Sequence, residues 1–323
     1  MNKTKALSII NKLGQSRTPF FFIIDYHMQK NFIFTPEQLE SNSIKVQFPN
    51  FSNTFEQKSK IDFQFNYKKI PFQQYKKSFE IIQKHIKAGN TYLCNLTASV
   101  ELETNLSLEQ IFAISQAKYK LLLNNQFVCF SPEIFVQIKQ NKIYSYPMKG
   151  TIDAEIENAQ QIILTDKKET AEHYTIVDLI RNDLSIVAQN VKVDKFRYID
   201  KITTNNKQLL QVSSQISGDL PQDYHKMLGD IIYSLLPAGS ISGAPKKKTV
   251  EIINQAENYK RGFYTGIAGF FDGQNLDSCV LIRFIEKQNN KLLYKAGGGI
   301  TFLSNIDDEY SELHNKVYIP STF

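Results

Sequence analysis

At 323 residues, with 42% hydrophobic and 22% charged residues, the chain can bury a substantial core and is composed like a globular protein, not a disordered or fibrous one. Its net charge of +6 comes from scattered lysines with no run of five or more, which gives little support to a nucleic-acid partner. The three cysteines (Cys94, Cys129, Cys279) lie far apart without metal-ligand spacing, and the apolar run at 19–25 is too short to span a membrane; a cytoplasmic protein with no membrane partner is expected.

In chain order, residues 1–18 read as a polar helix contributing little to a core, and 19–35 as two strands around a polar turn. Residues 36–66, rich in Asn, Gln, Ser and Lys, read as irregular connection. They mark the boundary between a short N-terminal segment, 1–66, packing on a main domain, 67–323. Tyr75, Phe79, Ile82 and Ile86 fall at helical spacing, and Gly89 closes that helix. A strand at 91–103, a helix around 107–117 and two strands turned at Gln140-Asn141 follow.

Residues 165–188 read as one long helix, with Thr165 or Asp166 as N-cap and Ile176, Leu179, Ile180 and Leu184 on its inward face. Strands at 191–200 and 209–220, a helix at 223–235 and a small-residue turn leading into a helix at 246–257 come next. The last third is strand-rich and ends in a helix carrying Glu309 and Glu312. Strands predominate, hairpins are short, and strand and helix do not alternate regularly. The expected class is α/β of the α+β type, a large mixed, mainly antiparallel β-sandwich flanked by helices.

Glu169 and Glu172 are three apart on one helix, as are Glu309 and Glu312 on another, so each pair projects from a single face. Two such pairs could hold a hard divalent cation; equally, they could be solvated helix faces. The turn Gly239-Ser240-Ile241-Ser242-Gly243 opens a helix but has neither P-loop nor Gly-x-Ser-x-Gly spacing. Gly297-Gly298-Gly299 would let a ligand approach the backbone, or would simply form a bulge. Arg283, in an apolar strand, needs a counter-charge from the protein or from a substrate carboxylate. Lys149 sits between proline and glycine at a strand end, where a nucleophilic role would require a lowered pKa. His173, beside Glu172, reads as a base or as an ordinary helix histidine.

Taken together, "SPEIFVQ…YPMKGT", "ETAEHYTIVDLIRNDL", "LPAGSISGAPKKKTVEIINQAE", "RGFYTGIAGFF", "LIRF", "KAGGGI" and "DDEYSELHNKV" resemble the chorismate-utilising enzymes, from about residue 70 to 318. The resemblance implies that family's fold and a Mg²⁺ ion held by Glu169, Glu172, Glu309 and Glu312, gripping the ring carboxylate of chorismate. It implies substrate contacts from Arg283 and Tyr264, from the backbone at Gly297, Gly298 and Gly299, and from Ser242, Gly243 and Thr151. Lysine in "P-x-K-G-T" matches the aminodeoxychorismate-forming branch, where it is thought to attack C2 of chorismate, whereas anthranilate-forming members carry alanine there. Glu133, in "SPE", matches the carboxylate proposed to protonate the departing C4 hydroxyl, so its pKa should be raised by burial.

The resemblance also implies ammonia supplied by a glutamine amidotransferase subunit. Two departures stand out: Leu210 occupies the place matched to the family's "H-L-V-S" histidine, and residues 1–66 lack the "L-L-E-S" stretch linked to tryptophan binding. Neither that histidine's chemistry nor tryptophan regulation is therefore expected. An anthranilate synthase component on the same scaffold is the alternative. An isochorismate synthase and a basic nucleic-acid-binding protein are more remote.

Overall fold

The computed structural model describes residues 1–54, 61–203 and 208–320. Among these, two nine-stranded sheets lie face to face with helices on both outer surfaces, and every strand pair is antiparallel. One sheet runs from Met148–Asp153 through Gln208–Asp219, Lys142–Ser145, Ile134–Lys139, Leu276–Val280 and Ile267–Phe271 to Phe20–Ile24 and Asn31–Phe34, with Gln189–Thr203 also on Gln208–Asp219. The other places Leu93–Thr104, Lys291–Ile300, Phe284–Gln288, Phe127–Ser131 and Tyr119–Leu123 side by side, with shorter strands at its margins.

Alternation along each strand builds the layers. Phe21, Ile23, Ala268 and Phe270 from the first sheet meet Val46, Leu121, Phe127 and Cys129 from the second in the sandwich interior. Phe20, Phe22 and Ile24 point the other way, onto a core shared with helices Lys3–Gln15, Lys167–Ser185 and Leu228–Ser234. Val128 and Phe130 likewise face a third core with helices Phe72–Lys87, Leu108–Ile114, Lys246–Ala256 and Ile306–Asn315. No helix among the described residues is long and apolar enough to cross a membrane.

The N-terminal region is more deeply built in than its composition suggests. Ala6 and Ile10 of the first helix are fully buried. Phe20–Ile24 is an interior strand, paired on both sides. Within the stretch read as irregular, Ile44–Phe48 pairs with Tyr119–Leu123 and buries Ile44, Val46 and Phe48 on alternate positions. Its period-2 signal is a single short strand, hidden in polar surroundings. The stretch read as a helix at 223–235 is a 3₁₀ turn, Tyr224–Met227, followed by the α-helix Leu228–Ser234.

Candidate active site

The long helix spans Lys167–Ser185, and its N-cap Asp166 accepts a hydrogen bond from the Glu169 amide at 2.7 Å. Helical spacing puts Glu169 and Glu172 on one face. Helix Ile306–Asn315, capped by Asn305, does the same for Glu309 and Glu312. Strand Lys291–Ile300 runs beside the second pair: a methyl built on Gly298 would lie 3.5 Å from Glu312 Oε1 and 3.6 Å from Glu309 Oε2. One built on Gly299 would lie 3.7 Å from Lys149 Nζ. Lys149 stands on Met148–Asp153, opposite Val212, just before a register shift at Gly150. Gly150 has φ +75°, and a methyl there would sit 3.0 Å from Glu169 Oε2.

Lysines answer three of these four carboxylates. Lys149 Nζ lies 2.5 Å from Glu172 Oε2, Lys168 Nζ 3.1 Å from Glu309 Oε1, and Lys316 Nζ 2.6 Å from Glu312 Oε1. Lys316 also donates to the Gly297 carbonyl at 2.9 Å, and Ser304 Oγ to Glu309 Oε1 at 2.7 Å. Burial works against the charge of Lys149, but Glu172, Glu169 and Glu312 outweigh it and hold its pKa above that of an ordinary lysine. This reverses the lowered pKa that a nucleophilic role requires. Burial of Lys316 prevails over Glu312 and lowers its pKa. Burial raises the pKa of Glu169, while Glu312, despite burial, is held low by Lys316, Lys149 and Lys168.

Within reach of the charges of Lys149 and Lys316, Glu133 precedes strand Ile134–Lys139, its backbone fixed by Glu133 N–H to Ser131 Oγ (3.1 Å) and Val280 N–H to Glu133 O (3.1 Å). Burial raises its pKa, against the hydroxyl of Ser240 and the charges of Arg283, Lys316 and Lys149. Arg283 is not inside a strand: with φ +52° it occupies the crossover between Leu276–Val280 of one sheet and Phe284–Gln288 of the other. That crossover delivers its guanidinium to the pocket, 5.2 Å from the Tyr318 ring centroid. Tyr264 is buried nearby, and its hydroxyl, raised in pKa by burial, feels Arg283 and Glu133.

Other sequence candidates are placed differently. Ser242 is fully buried and donates to the Ala238 carbonyl at 2.8 Å, closing the one-turn helix Gly239–Ser242. Gly243 pairs with Cys94, and its φ of +131° and the Leu93 carbonyl leave no room for a side chain. This turn is packed against strand Leu93–Thr104, which is why it does not lie open to an anion; the side chain it presents to the pocket is that of Ser240, which donates to Glu133 Oε1. Thr151 is exposed and accepts from Gln211 Nε2 at 3.4 Å. Leu210 is buried opposite Ile152. His173 is buried, bonded through Nε2 to Ser214 Oγ at 2.7 Å, with its pKa pushed down to about 4 by burial, which removes it as a solvent-facing base.

Beneath the pocket, fully buried Arg261 forms a fork to Glu257 (2.6 and 2.9 Å) and donates to the carbonyls of Ile241 (2.9 Å) and Asn95 (2.7 Å). Its guanidinium lies 4.7 Å from the Tyr26 ring centroid. One side chain thus ties the Gly239–Ser242 turn, strand Leu93–Thr104 and the N-terminal region together.

A model of the chorismate binding enzyme family matches residues 21–321. The chain belongs to that family. The match includes strands Phe20–Ile24 (from Phe21) and Ile44–Phe48, so it begins well before residue 70. A Haemophilus influenzae protein called "uncharacterized PabA-like protein" is 50% identical over 310 residues, 96% of this chain and 94% of that one. The anthranilate synthase component 1 of Acetivibrio thermocellus is 33% identical over 72% of this chain, and the aminodeoxychorismate synthase component 1 of Bacillus subtilis 30% over 76%. The chain spans about half the length of those two, 49% and 54%. In fold it resembles MenF, the menaquinone-specific isochorismate synthase of Escherichia coli, with a TM-score of 0.72 at 15% identity over 98% of this chain and 81% of that one.

The resemblance raises the question of magnesium. Glu169 Oε2 and Glu172 Oε1 are buried without a hydrogen-bond partner, and hard carboxylate oxygens are what Mg²⁺ takes. Among the described residues, no three His, Cys, Asp or Glu side chains stand close enough to chelate a metal. Three of the four glutamates are drawn onto lysines. The donor chemistry fits the ion, provided those ammonium groups yield.

Proposed function

We propose that this chain is the chorismate-aminating component of an aminodeoxychorismate synthase, turning chorismate and ammonia into 4-amino-4-deoxychorismate. The observation that carries the reading is Lys149, a lysine in "P-x-K-G-T", standing at the carboxylate cluster with Glu133 near enough to feel its charge. Arg283 and Lys316 supply cations for the substrate's carboxylates. Once released from Glu172 and deprotonated, Lys149 Nζ bonds to C2, both ring double bonds move one place along, and the C4–O bond breaks. Protonated Glu133 gives its proton to the leaving oxygen, which departs as water. Ammonia then bonds to C4, the double bonds move back, and the C2–N bond breaks; the lysine leaves as a free amine that can take the proton shed by the new C4 ammonium. Bound to the four glutamates, Mg²⁺ would supply a positive charge that offsets them and favours an electron-poor ring. Supporting the partner reading, two relatives are named as a component 1; the ammonia source proposed here is a separate glutamine amidotransferase subunit, with free ammonium serving when the chain acts alone.

The anthranilate-forming reading has its own support in the 33% identity to an anthranilate synthase component 1. The two separate in one experiment. The purified chain, chorismate, Mg²⁺ and ammonium are combined, and products are read by mass spectrometry with and without an added aminodeoxychorismate lyase. Aminodeoxychorismate, converted to 4-aminobenzoate by the lyase and lost in Lys149→Ala, is the expected result. Fluorescent anthranilate would overturn the reading.

A further inference from the structure

We propose that Ser240 is a positioning residue for the acid of this reaction, fixing one oxygen of Glu133 so that the other is aimed at the departing hydroxyl. The inference rests on Glu133 acting as that acid. Its geometric basis is independent of product identity. The Ser240 hydroxyl donates to Glu133 Oε1, while Glu133's own N–H and carbonyl are held by Ser131 and Val280. Three bonds from three separate segments thus fix the residue from backbone to carboxyl. The Ser240 side is itself fixed, because the turn bearing it is held through Ile241 by buried Arg261.

A reason for such restraint is the space that the pair lines. A cavity of about 20 Å³, room for one water, is lined by Glu133, Ser240, Ser145 and Asp183 among apolar walls such as Phe135 and Ile180. Without the hydroxyl of Ser240, the carboxyl would be free to turn within this space and lose its fixed aim. Asp183 on that wall is engaged by Lys246, whose Nζ lies 2.8 Å away, although burial outweighs this pairing and raises its pKa. The other charged or titratable groups facing Glu133 are Arg283, Lys316 and Lys149, with the buried Tyr264 and Cys279.

A serine that merely packs and one that aims Glu133 predict different pH profiles. An acid must be protonated to act, so activity falls as pH rises through its pKa. The Ser240 hydrogen bond favours the ionised carboxylate, and removing it raises that pKa. The test uses the full chain with chorismate, Mg²⁺ and ammonium, comparing Ser240→Ala, Ser240→Thr, Glu133→Gln and the double variant Glu133→Gln/Ser240→Ala. Ser240→Ala should lower kcat about tenfold with KM within about twofold, as expected for losing one orienting hydrogen bond. It should also move the alkaline limb to higher pH. Ser240→Thr should restore both, and the double variant should be no slower than Glu133→Gln. An unmoved alkaline limb, or an equal loss in the Glu133→Gln background, overturns the proposal. If Ser240→Ala does not fold, Ser240→Thr with an unrestored limb overturns it too. Product analysis runs in parallel: anthranilate as the product would sink the proposed function, while the coupling of Ser240 to Glu133 would still be read from the double variant.

Discussion

Arg261 and Glu257 form the most deeply buried ion pair described here, their side chains 1% and 3% exposed. Removing one member leaves the other desolvated and unpaired, which costs far more than the intact pair contributes. Glu257→Ala should therefore lower stability by about 3–5 kcal/mol, measured by urea unfolding, while Arg261→Met/Glu257→Leu together should cost much less. Individual residues also show where sequence reading stops. Glu169 and Glu172 were legible because helix geometry alone places them together. Lys149 was legible only through the motif that frames it. Lys168 and Lys316 were not singled out, since Lys168 reaches a glutamate 141 positions away and nothing local announces it. Lys316 left a trace, four residues after Glu312. Ser240 was passed over for Ser242 because only the tertiary structure shows which of the two hydroxyls reaches Glu133.

Strand Lys291–Ile300 shows how one element can carry both fold and chemistry. A methyl on Gly297 would lie 2.4 Å from the Leu96 carbonyl, a backbone atom of the paired strand that cannot swing aside. A methyl on Gly298 meets only side-chain ends, the nearest at 3.5 Å. Gly297→Ala should cost about 1–3 kcal/mol of stability, read as a lower Tm. Gly298→Ala should keep the Tm and weaken divalent-cation and chorismate binding, seen by titration calorimetry. An unchanged Gly298→Ala affinity would remove this strand from the site. Long periodic elements of this kind were readable in the sequence: the helix expected at 165–188 is Lys167–Ser185, and the turn at Gln140-Asn141 has φ of +51° and +59°, as a tight hairpin requires. What escaped was short or mixed, such as Ile44–Phe48, whose five residues make sense only beside Tyr119–Leu123.

At the scale of the molecule, the two acidic helices belong to different layers. Lys167–Ser185 packs through Ile176 and Leu184 on the first sheet's core, Ile306–Asn315 through Leu313 on the second's. A cation shared by their glutamates would join the two halves, so Mg²⁺ at a hundred times its Kd should add about 2.7 kcal/mol, read as a rise in Tm that Glu172→Gln/Glu309→Gln abolishes. Tryptophan, by contrast, should leave the Tm where it is. The pairing of carboxylates with lysines has one further effect. Glu169, Glu172, Glu309 and Glu312 meet Lys149, Lys168 and Lys316, with Arg283 near Lys316 and Glu133; with Glu133 protonated, that is four negative charges against four positive. A divalent cation alone, or a dicarboxylate alone, would leave the pocket two charges out of balance; the two together would leave it neutral. Each should therefore tighten the other's binding by the same factor, and the pair should bind with far less sensitivity to salt than either partner by itself. Whichever partner arrives first would thus prepare the site for the other.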